Sequence, residues 1–526
     1  MRRFCADAAE YDVDLLVFPE LAVCGYPPED LLMKPHFLED NRRALEQLAA
    51  DCRDTAIIAG FAEAAGGGYF NSLAVLQQGR IMRIYRKCIL PNYGVFDERR
   101  YFRPGNGSVI VNINGLAVIL TICEDIWKPE WMDQFIGEVA SRHIMVNISA
   151  SPFHVGKIAE RYDALRHCAT HFDCALAYCN LIGGQDELVF DGRSMFLDAA
   201  GRVISQAKAF EEDLLIADIK LTNGRTVAVE SVEPPPGQTV QPADPIAEVY
   251  GALVLGTKDY VLKNSFKKVI IGLSGGIDSS LTAAIAVDAL GSQNVVAVTM
   301  PSQFNNPQTV SDAQQVAKNL GIEFHTIPIT AVLDKFSGTL DAVEGWADSG
   351  VAYENLQARI RGTILMAMSN RFSYLVLTTG NKSETAVGYS TLYGDTAGGF
   401  AVIKDVPKTM VYQLAQYVNS LHRPQIIPTS VIRRPPSAEL KENQKDTDLL
   451  PEYDLLDRIL KDYIEEDKSA KQIIAEGLPE DVVNRVVRMV DLNEYKRRQS
   501  PPGIKITPKA FGRDRRMPIT NRYISR

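Results

Sequence analysis

The run Leu273-Ser274-Gly275-Gly276-Ile277-Asp278-Ser279-Ser280 gathers backbone freedom, hydroxyl groups and a carboxylate into one short stretch. Those are the parts of a pyrophosphate cradle. Two glycines let the main chain approach an anion, a helix opening there offers unpaired N–H groups and its dipole, and Ser274 and Ser279 add hydroxyl donors. Asp278 is left to hold Mg2+, a hard cation suited to carboxylate and phosphate oxygens. The loop is therefore expected to bind and split ATP. A Walker loop would need Gly-x-x-x-x-Gly-Lys-Ser/Thr, which is missing, so the usual β/γ cleavage is not the expected chemistry. A second constellation is spread over the first part of the chain and comprises Glu20, Lys87 and Cys123. Sulfur attack on an amide needs a base for the thiol proton, which a carboxylate such as Glu20 can supply. A cation such as Lys87 would lower the thiol pKa and stabilise the negative oxygen of the tetrahedral intermediate. Cys123 alone would read as a buried structural cysteine; the other two residues turn that reading toward a nucleophile.

These residues need rigid elements beneath them. Residues 268–273 are β-branched and short enough for a buried strand, and 281–287 continue as a buried helix, so the glycines fall at a strand-to-helix turn. Strand candidates at 269–273, 295–299, 324–327 and 374–378, separated by amphipathic helices, predict a doubly wound parallel sheet with its ligand at the strand C-termini. Upstream, the apolar runs 13–18, 56–61, 116–122, 144–148 and 175–179 alternate with helical stretches, which predicts sheet-rich α/β layers. Cys123 then ends the strand 116–122, and Glu20 follows the strand 13–18. The proline-rich segment 233–245 can continue neither a helix nor a central strand and reads as a linker. Domains are expected over 1–222 and 246–526, joined by 223–245.

With 526 residues, 46% hydrophobic and 23% charged, the chain is globular and too long for one ordinary core. No apolar run reaches membrane-span length, the N-terminus lacks the apolar core of a signal peptide, and a net charge of −9 disfavours general nucleic-acid binding. A cytoplasmic protein is expected. All 8 cysteines precede residue 180 without a Cys-x-x-Cys pair, which argues against a disulfide framework or a zinc site. His167 and His171 lie four apart on an expected helix; with no third ligand evident nearby, they read as packed or solvated side chains.

The Ser-Gly-Gly-x-Asp-Ser pattern resembles the signature of the N-type ATP pyrophosphatases. That resemblance implies adenylation of a carboxylate or carbonyl oxygen with release of pyrophosphate. Gly272, Leu273, Ser274, Gly275, Gly276, Ile277, Asp278, Ser279 and Thr379 would then contact ATP. Glu20, Lys87 and Cys123, in this order, resemble the nitrilase superfamily, which implies an αββα sandwich and amide hydrolysis through a thioester. Glu98 is similar to the second glutamate of that pattern. Nitrilase domains usually carry a further strand before the segment corresponding to 2–10, so the first domain is expected to lack it and to expose a sheet edge beside the Glu20 strand.

Taken together, the two halves resemble the glutamine-dependent NAD synthetase family over essentially the whole chain, including 19–32 and 90–98. The resemblance implies that glutamine is held by Tyr93, Ser151 and Lys157, and deamido-NAD by Asn355, Glu384 and Lys496. Asp278 and Glu384 would hold Mg2+, and Asp395, in the substrate loop 393–400, would add a ligand contact. Lys404 and Lys408 read as surface lysines, with phosphate contact as the alternative. Ammonia freed from glutamine would amidate the adenylated nicotinate carboxylate. Because ammonia in neutral water is mostly protonated, an enclosed passage is expected. A homo-oligomer paired through the second domains is also implied. Two other readings stay open: another ATP-pyrophosphatase amidotransferase with a different acceptor, and a non-catalytic metabolic scaffold, against which the intact Glu20, Lys87 and Cys123 speak.

Overall fold

In the first half of the chain, the two-residue period of the strands sorts apolar side chains between two core layers. The computed structural model describes residues 1–52, 55–136, 144–222, 225–233, 244–346 and 350–523. One sheet contains β1 (Leu15–Val17), β2 (Ala56–Ala65), β3 (Gly68–Gln77) and β4 (Arg80–Arg86), in that spatial order. A second contains β5 (Val109–Ile113), β6 (Leu116–Ile122), β7 (Ile144–Ser149) and β8 (Ala175–Asn180). After the separate pair β9 (Ile182–Gln185) and β10 (Leu188–Asp191), it is completed by β11 (Met195–Leu197) and β12 (Val203–Gln206), in the order β12-β11-β8-β7-β6-β5.

Ala56, Ile58, Leu73 and Val75 of the first sheet meet Val118, Leu120, Ile122, Ile144 and Val146 of the second in one buried core. The alternate residues face outward to helices. Ile57, Ala59 and Phe61 pack with Ala8 of α1 (Arg2–Ala9) and Leu45 and Leu48 of α2 (Pro35–Asp51). Ile119, Met145 and Leu176 pack with Ile136 of α3 (Pro129–Ile136) and Leu165 and Phe172 of α4 (Lys157–Phe172). Helix, sheet, sheet and helix thus stack as the expected αββα sandwich.

β1 pairs only with β2 in this sheet, and beside it lies a cavity of about 860 Å³ whose lining includes Leu15, Val17, Ile144, Val146, Ala177 and Ile216. Among the described residues β1 lies at one end of the strand order. One boundary needs correction. Residues 225–233, placed in the linker, form β14 (Arg225–Glu233), which pairs antiparallel with β13 (Ile216–Thr222). The β-branched and apolar run Thr226-Val227-Ala228-Val229 suits a strand, and Val229 is buried against the sandwich core. Residues 234–243 of the expected linker lie outside the described residues.

The chain forms two compact units, Met1–Gln185 with Val189–Ala243, and Asp186–Leu188 with Asp244–Arg526. In the second, α5 (Pro245–Lys263) starts where Asp244 accepts a hydrogen bond from the Ile246 N–H at 3.0 Å and Pro245 takes the first turn. The strands β15 (Val269–Gly272), β16 (Val295–Thr299), β17 (Glu323–Thr326), β18 (Leu375–Thr378) and β19 (Phe400–Ala401) form one sheet in the order β17-β16-β15-β18-β19. Every pairing is parallel, so each connection is a crossover through helix. These helices are α6 (Ile277–Leu290), α7 (Pro307–Leu320), α8 (Thr330–Leu340), α9 (Gly350–Phe372) and α10 (Lys382–Val387). Ile270, Val296, Val298 and Val376 face Leu333 of α8 and Leu356, Ile360 and Leu365 of α9. α11 (Lys408–Leu421) packs with α5 and α6. After α12 (Thr429–Arg433), a C-terminal cluster joins α13 (Tyr453–Leu460), α14 (Ala470–Ala475) and α15 (Glu480–Leu492) to Ala386 and Val387 of α10, ahead of α16 (Glu494–Arg497).

Candidate active site

Cys123 leaves β6 at a reversal of backbone hand. Ile122 is extended, whereas Cys123 opens the 3-10 turn Cys123–Trp127 with φ of 44°. A positive φ costs energy in a non-glycine residue, and here it falls at the residue that follows β6 and bears the sulfur. Glu20 follows β1 in a segment pressed against β2. A Cβ on Gly60 would lie 2.3 Å from the Leu21 nitrogen and 2.8 Å from the Glu20 carbonyl carbon, so only glycine admits this approach. Lys87 follows β4 directly.

The three side chains are 0% (Glu20), 1% (Lys87) and 3% (Cys123) exposed. Lys87 Nζ donates to Glu20 Oε1 at 2.8 Å and to Glu98 Oε1 at 2.7 Å. Glu20 is further fixed by the Asn71 amide at 2.7 Å and the Ala150 N–H at 2.7 Å, and Glu98 by the Tyr26 hydroxyl at 2.9 Å. A buried lysine survives as a cation here because two carboxylates converge on it, and together they hold its pKa well above the ordinary value despite the cost of burial. Burial pushes Glu98 up to about 7, with the Glu20 charge adding to it and Lys87 opposing. The expectation that Lys87 would give Cys123 a lowered pKa is corrected: burial, reinforced by Glu20, outweighs Lys87 and raises the thiol well above its usual range. Cys123 therefore rests as a neutral thiol within the electrostatic reach of Glu20 and Lys87.

Each of the expected glutamine contacts adjoins this centre through a neighbouring residue. The Tyr93 hydroxyl lies 3.0 Å from both carboxylate oxygens of Glu124, next to Cys123. Ser151 follows Ala150 and is buried, its Oγ accepting from the buried Arg161 at 3.4 Å while Arg161 pairs with Asp191 at 2.9 Å. Lys157 projects over the Trp127 ring at 4.3 Å and donates to Glu160 at 3.0 Å. Asn71 and the Arg161–Asp191 pair carry no local sequence signal and meet this centre only through the fold, whereas Glu124 adjoins Cys123 in sequence and finds Tyr93 only in the fold. His167 and His171, on α4, reach Glu130 at 2.8 Å and Asp133 at 3.0 Å on α3.

In the second unit the loop has the shape its residues require. Gly275 has φ of 87°, and a Cβ there would meet the Thr309 carbonyl oxygen at 2.0 Å. Gly276 caps α6, and the Ser274 and Ser279 hydroxyls lie 3.1 Å apart across the turn. The Gly275 carbonyl accepts from Arg434 at 3.3 Å, and Arg434 is itself paired with buried Asp312. Thr379 follows β18, which pairs in parallel with β15, so both Thr379 and the loop lie at strand C-termini.

Asp278 and Glu384 converge on a single ammonium. Lys408 Nζ pairs with Asp278 and lies 3.5 Å from Glu384 Oε1. Lys408 is only 2% exposed, which overturns its surface reading; two facing carboxylates make its burial tolerable. Lys404 is also half-buried, donating to the Pro501 carbonyl at 2.6 Å. Asn381 binds Asp278 through its amide at 2.9 Å and accepts from the Glu384 N–H at 2.9 Å, holding the two acids in register. Burial and the Asp278 charge lift Glu384 up to about 8, against the pull of Lys408. The remaining candidates meet around the turn after α10. Asn355 accepts from the Thr391 hydroxyl at 2.7 Å, Asp395 from the Thr391 N–H at 2.6 Å, and Lys496 donates to the Gly388 and Ser390 carbonyls at 2.7 and 2.8 Å.

A thiol–carboxylate–lysine centre in an αββα sandwich, and a phosphate loop on a parallel sheet, define a two-domain amide-transfer enzyme. Residues 1–228 match the carbon-nitrogen hydrolase family and residues 249–500 match NAD synthase. A glutamine-dependent NAD(+) synthetase from Thermotoga maritima is 47% identical, with 97% of this chain and 93% of that protein covered. The solved structure of a glutamine-dependent NAD+ synthetase from Acinetobacter baumannii, in complex with ADP, is 42% identical with a TM-score of 0.78 over 99% of this chain and 94% of that one. A Cytophaga hutchinsonii glutamine-dependent NAD(+) synthetase, at 23% identity and a TM-score of 0.81 over 98% of this chain and 93% of that one, shares the fold. The chain belongs to the glutamine-dependent NAD(+) synthetase family. It is an ATP-dependent amidating ligase.

Proposed function

We propose that Cys123, Glu20 and Lys87 release ammonia from glutamine, and that the second unit uses it to convert deamido-NAD and ATP into NAD, AMP and pyrophosphate. The observation that carries this reading is the fully buried Lys87, held between Glu20 and Glu98 and within electrostatic reach of Cys123. Cys123 Sγ attacks the carboxamide carbon as its proton passes to Glu20. Lys87 donates to the oxygen that becomes negative, and collapse of the tetrahedral adduct returns the proton to the departing ammonia. Water, activated by the same carboxylate, then cleaves the thioester to glutamate and restores the thiol. Tyr93, Ser151 and Lys157 orient glutamine.

In the second unit, a nicotinate carboxylate oxygen attacks the α-phosphorus of ATP, and ammonia displaces AMP from the acyl-adenylate. Residues 272–279, with Thr379 and Lys408, receive the nucleotide phosphates, and Asn355, Glu384, Asp395 and Lys496 hold deamido-NAD. The paired carboxylates Asp278 and Glu384, already gathered on one cation, are a hard-oxygen donor set that fits Mg2+ completed by phosphate oxygens and water. When bound, Mg2+ supplies positive charge opposite the departing pyrophosphate. Eight free cysteines accord with a reducing, cytoplasmic compartment, and no described helix is long and apolar enough to cross a membrane. Exposed Val332, Phe336 and Val351 on α8 and α9 support pairing of second units in a homo-oligomer.

NAD formation from deamido-NAD, ATP and Mg2+ tests the reading, with glutamine or ammonium as donor. Wild type is expected to use both and Cys123→Ala only ammonium. Glutamine turnover by Cys123→Ala would overturn the nucleophile assignment, and absence of NAD with either donor would overturn the acceptor.

A further inference from the structure

We propose that Asp125 is a positioning residue that fixes the spacing between Lys87 and Cys123 by tying the two segments that carry them to one carboxylate. The proposal rests on the reading that Lys87 and Cys123 act together on glutamine. Asp125 is 0% exposed. Its Oδ2 accepts from the Ile122 N–H at 2.9 Å and the Tyr85 hydroxyl at 2.8 Å, and its Oδ1 from the Cys88 N–H at 3.1 Å and the Ile89 N–H at 2.9 Å. Ile122 immediately precedes Cys123, Cys88 immediately follows Lys87, and Tyr85 is two residues before it. One rigid, planar group therefore registers the nucleophile strand against the lysine segment.

The tie crosses the sandwich. Tyr85 belongs to β4 of the four-stranded sheet and Ile122 to β6 of the six-stranded sheet. Apolar packing between sheets is non-directional, whereas four hydrogen bonds converging on one carboxylate fix both distance and angle. A carboxylate that only capped the 3-10 turn would need the Ile122 N–H alone. The 88–89 N–H groups have nothing to do with that turn, and their convergence on Asp125 is what gives it a second role. The chemistry also requires this side chain. A carboxylate is acceptor-only and can serve four donors, whereas asparagine would turn an NH2 group toward at least one of them. Glutamate would add a methylene to a fully buried position.

Glutamine hydrolysis by the full chain tests the role in wild type, Asp125→Asn, Tyr85→Phe and Cys123→Ala, with ammonium-driven NAD formation as the reference for a site that does not use this tie. Asp125→Asn is expected to lower the glutaminase kcat about 100-fold, the scale of a small misplacement of reacting groups, while the KM for glutamine stays near wild type. Labelling of Cys123 by a diazoketone analogue of glutamine should slow in parallel. Tyr85→Phe, which removes one of the four bonds, should lower kcat in the same direction by less. Unchanged kcat in Asp125→Asn, or a rise in KM with kcat preserved, would overturn the proposal. If Asp125→Asn does not fold, Tyr85→Phe decides, and a wild-type kcat there would overturn it. Glutamine turnover by Cys123→Ala would instead sink the underlying reading of the triad.

Discussion

At the scale of single residues, the glutaminase centre is built on charge compensation. Lys87 is buried between Glu20 and Glu98, so its positive charge makes two interior carboxylates tolerable. Lys87→Met would leave both acids without a cation. The expected cost is about 3–5 kcal/mol of folding stability, read by urea unfolding, together with loss of glutamine-driven activity. A cost within about 1 kcal/mol of wild type would show that the acids find other compensation. The raised thiol of Cys123 has its own consequence. Since the thiolate is the reactive form, iodoacetamide should label Cys123 slowly near neutral pH and faster as pH rises past the ordinary thiol range. Mass spectrometry of the alkylated chain checks this, and fast, pH-independent labelling near neutrality would contradict a neutral resting thiol.

At the scale of elements, close backbone approaches decide where the reactive side chains lie. Gly60 lets β2 run against the Glu20 segment, and Gly275 lets the 273–280 loop run against Thr309. Gly60→Ala should lower glutamine-driven NAD formation about 100-fold and leave ammonium-driven formation intact. Gly275→Ala should do the reverse for glutamine hydrolysis, sparing it while abolishing NAD formation with either donor, because both its positive φ and the Thr309 oxygen oppose a side chain. Steady-state rates with each donor distinguish the two, and a common loss in both variants would point to general misfolding. Much of this scaffold is legible in the sequence. The runs 116–122 and 295–299 are strands over those same residues, because continuous apolar β-branched stretches of that length suit a strand buried on both faces. Cys123 and the 273–280 loop are legible because strand ends and strand-to-helix turns leave local signatures. Gly60 and Asn71 are not, since a small or polar residue in mid-strand has meaning only against the segment it faces. Lys408 is misread for a related reason: a lysine's usual place is the surface, and the two carboxylates that bury this one come from α6 and α10. β14 carries a readable β-branched run at 226–229, masked by the prolines that follow it.

At the scale of the whole molecule, the buried acids of both units bias stability toward mildly acidic conditions. Burial lifts Glu98 up to about 7 and Asp125 up to about 6 in the first unit, and Glu384 up to about 8 and Asp395 up to about 6 in the second. Each of these pKa values is raised above that of the unfolded chain, so through this interval the folded state binds more protons than the unfolded one. Stability then decreases as pH rises, because its slope follows the protons bound by the unfolded state minus those bound by the folded state. Glu63, held low by Arg86 and Ser72 despite its burial, is ionised in both states across this interval and leaves the slope unchanged. Lys87, with its raised pKa, is likewise charged throughout. The ligand-free chain is therefore expected to melt at a higher temperature near about pH 5.5 than near about pH 8.5, with Glu384 the largest single contributor at the alkaline end. Glu384→Gln removes that titration and should narrow the difference in melting temperature between the two pH values by several degrees, while disabling NAD formation. Thermal unfolding of both chains across the interval tests the argument. Parallel pH profiles would remove Glu384 as a source of the slope, and a wild-type midpoint that rises with pH would show that carboxylates stabilised in their charged form outweigh the buried acids.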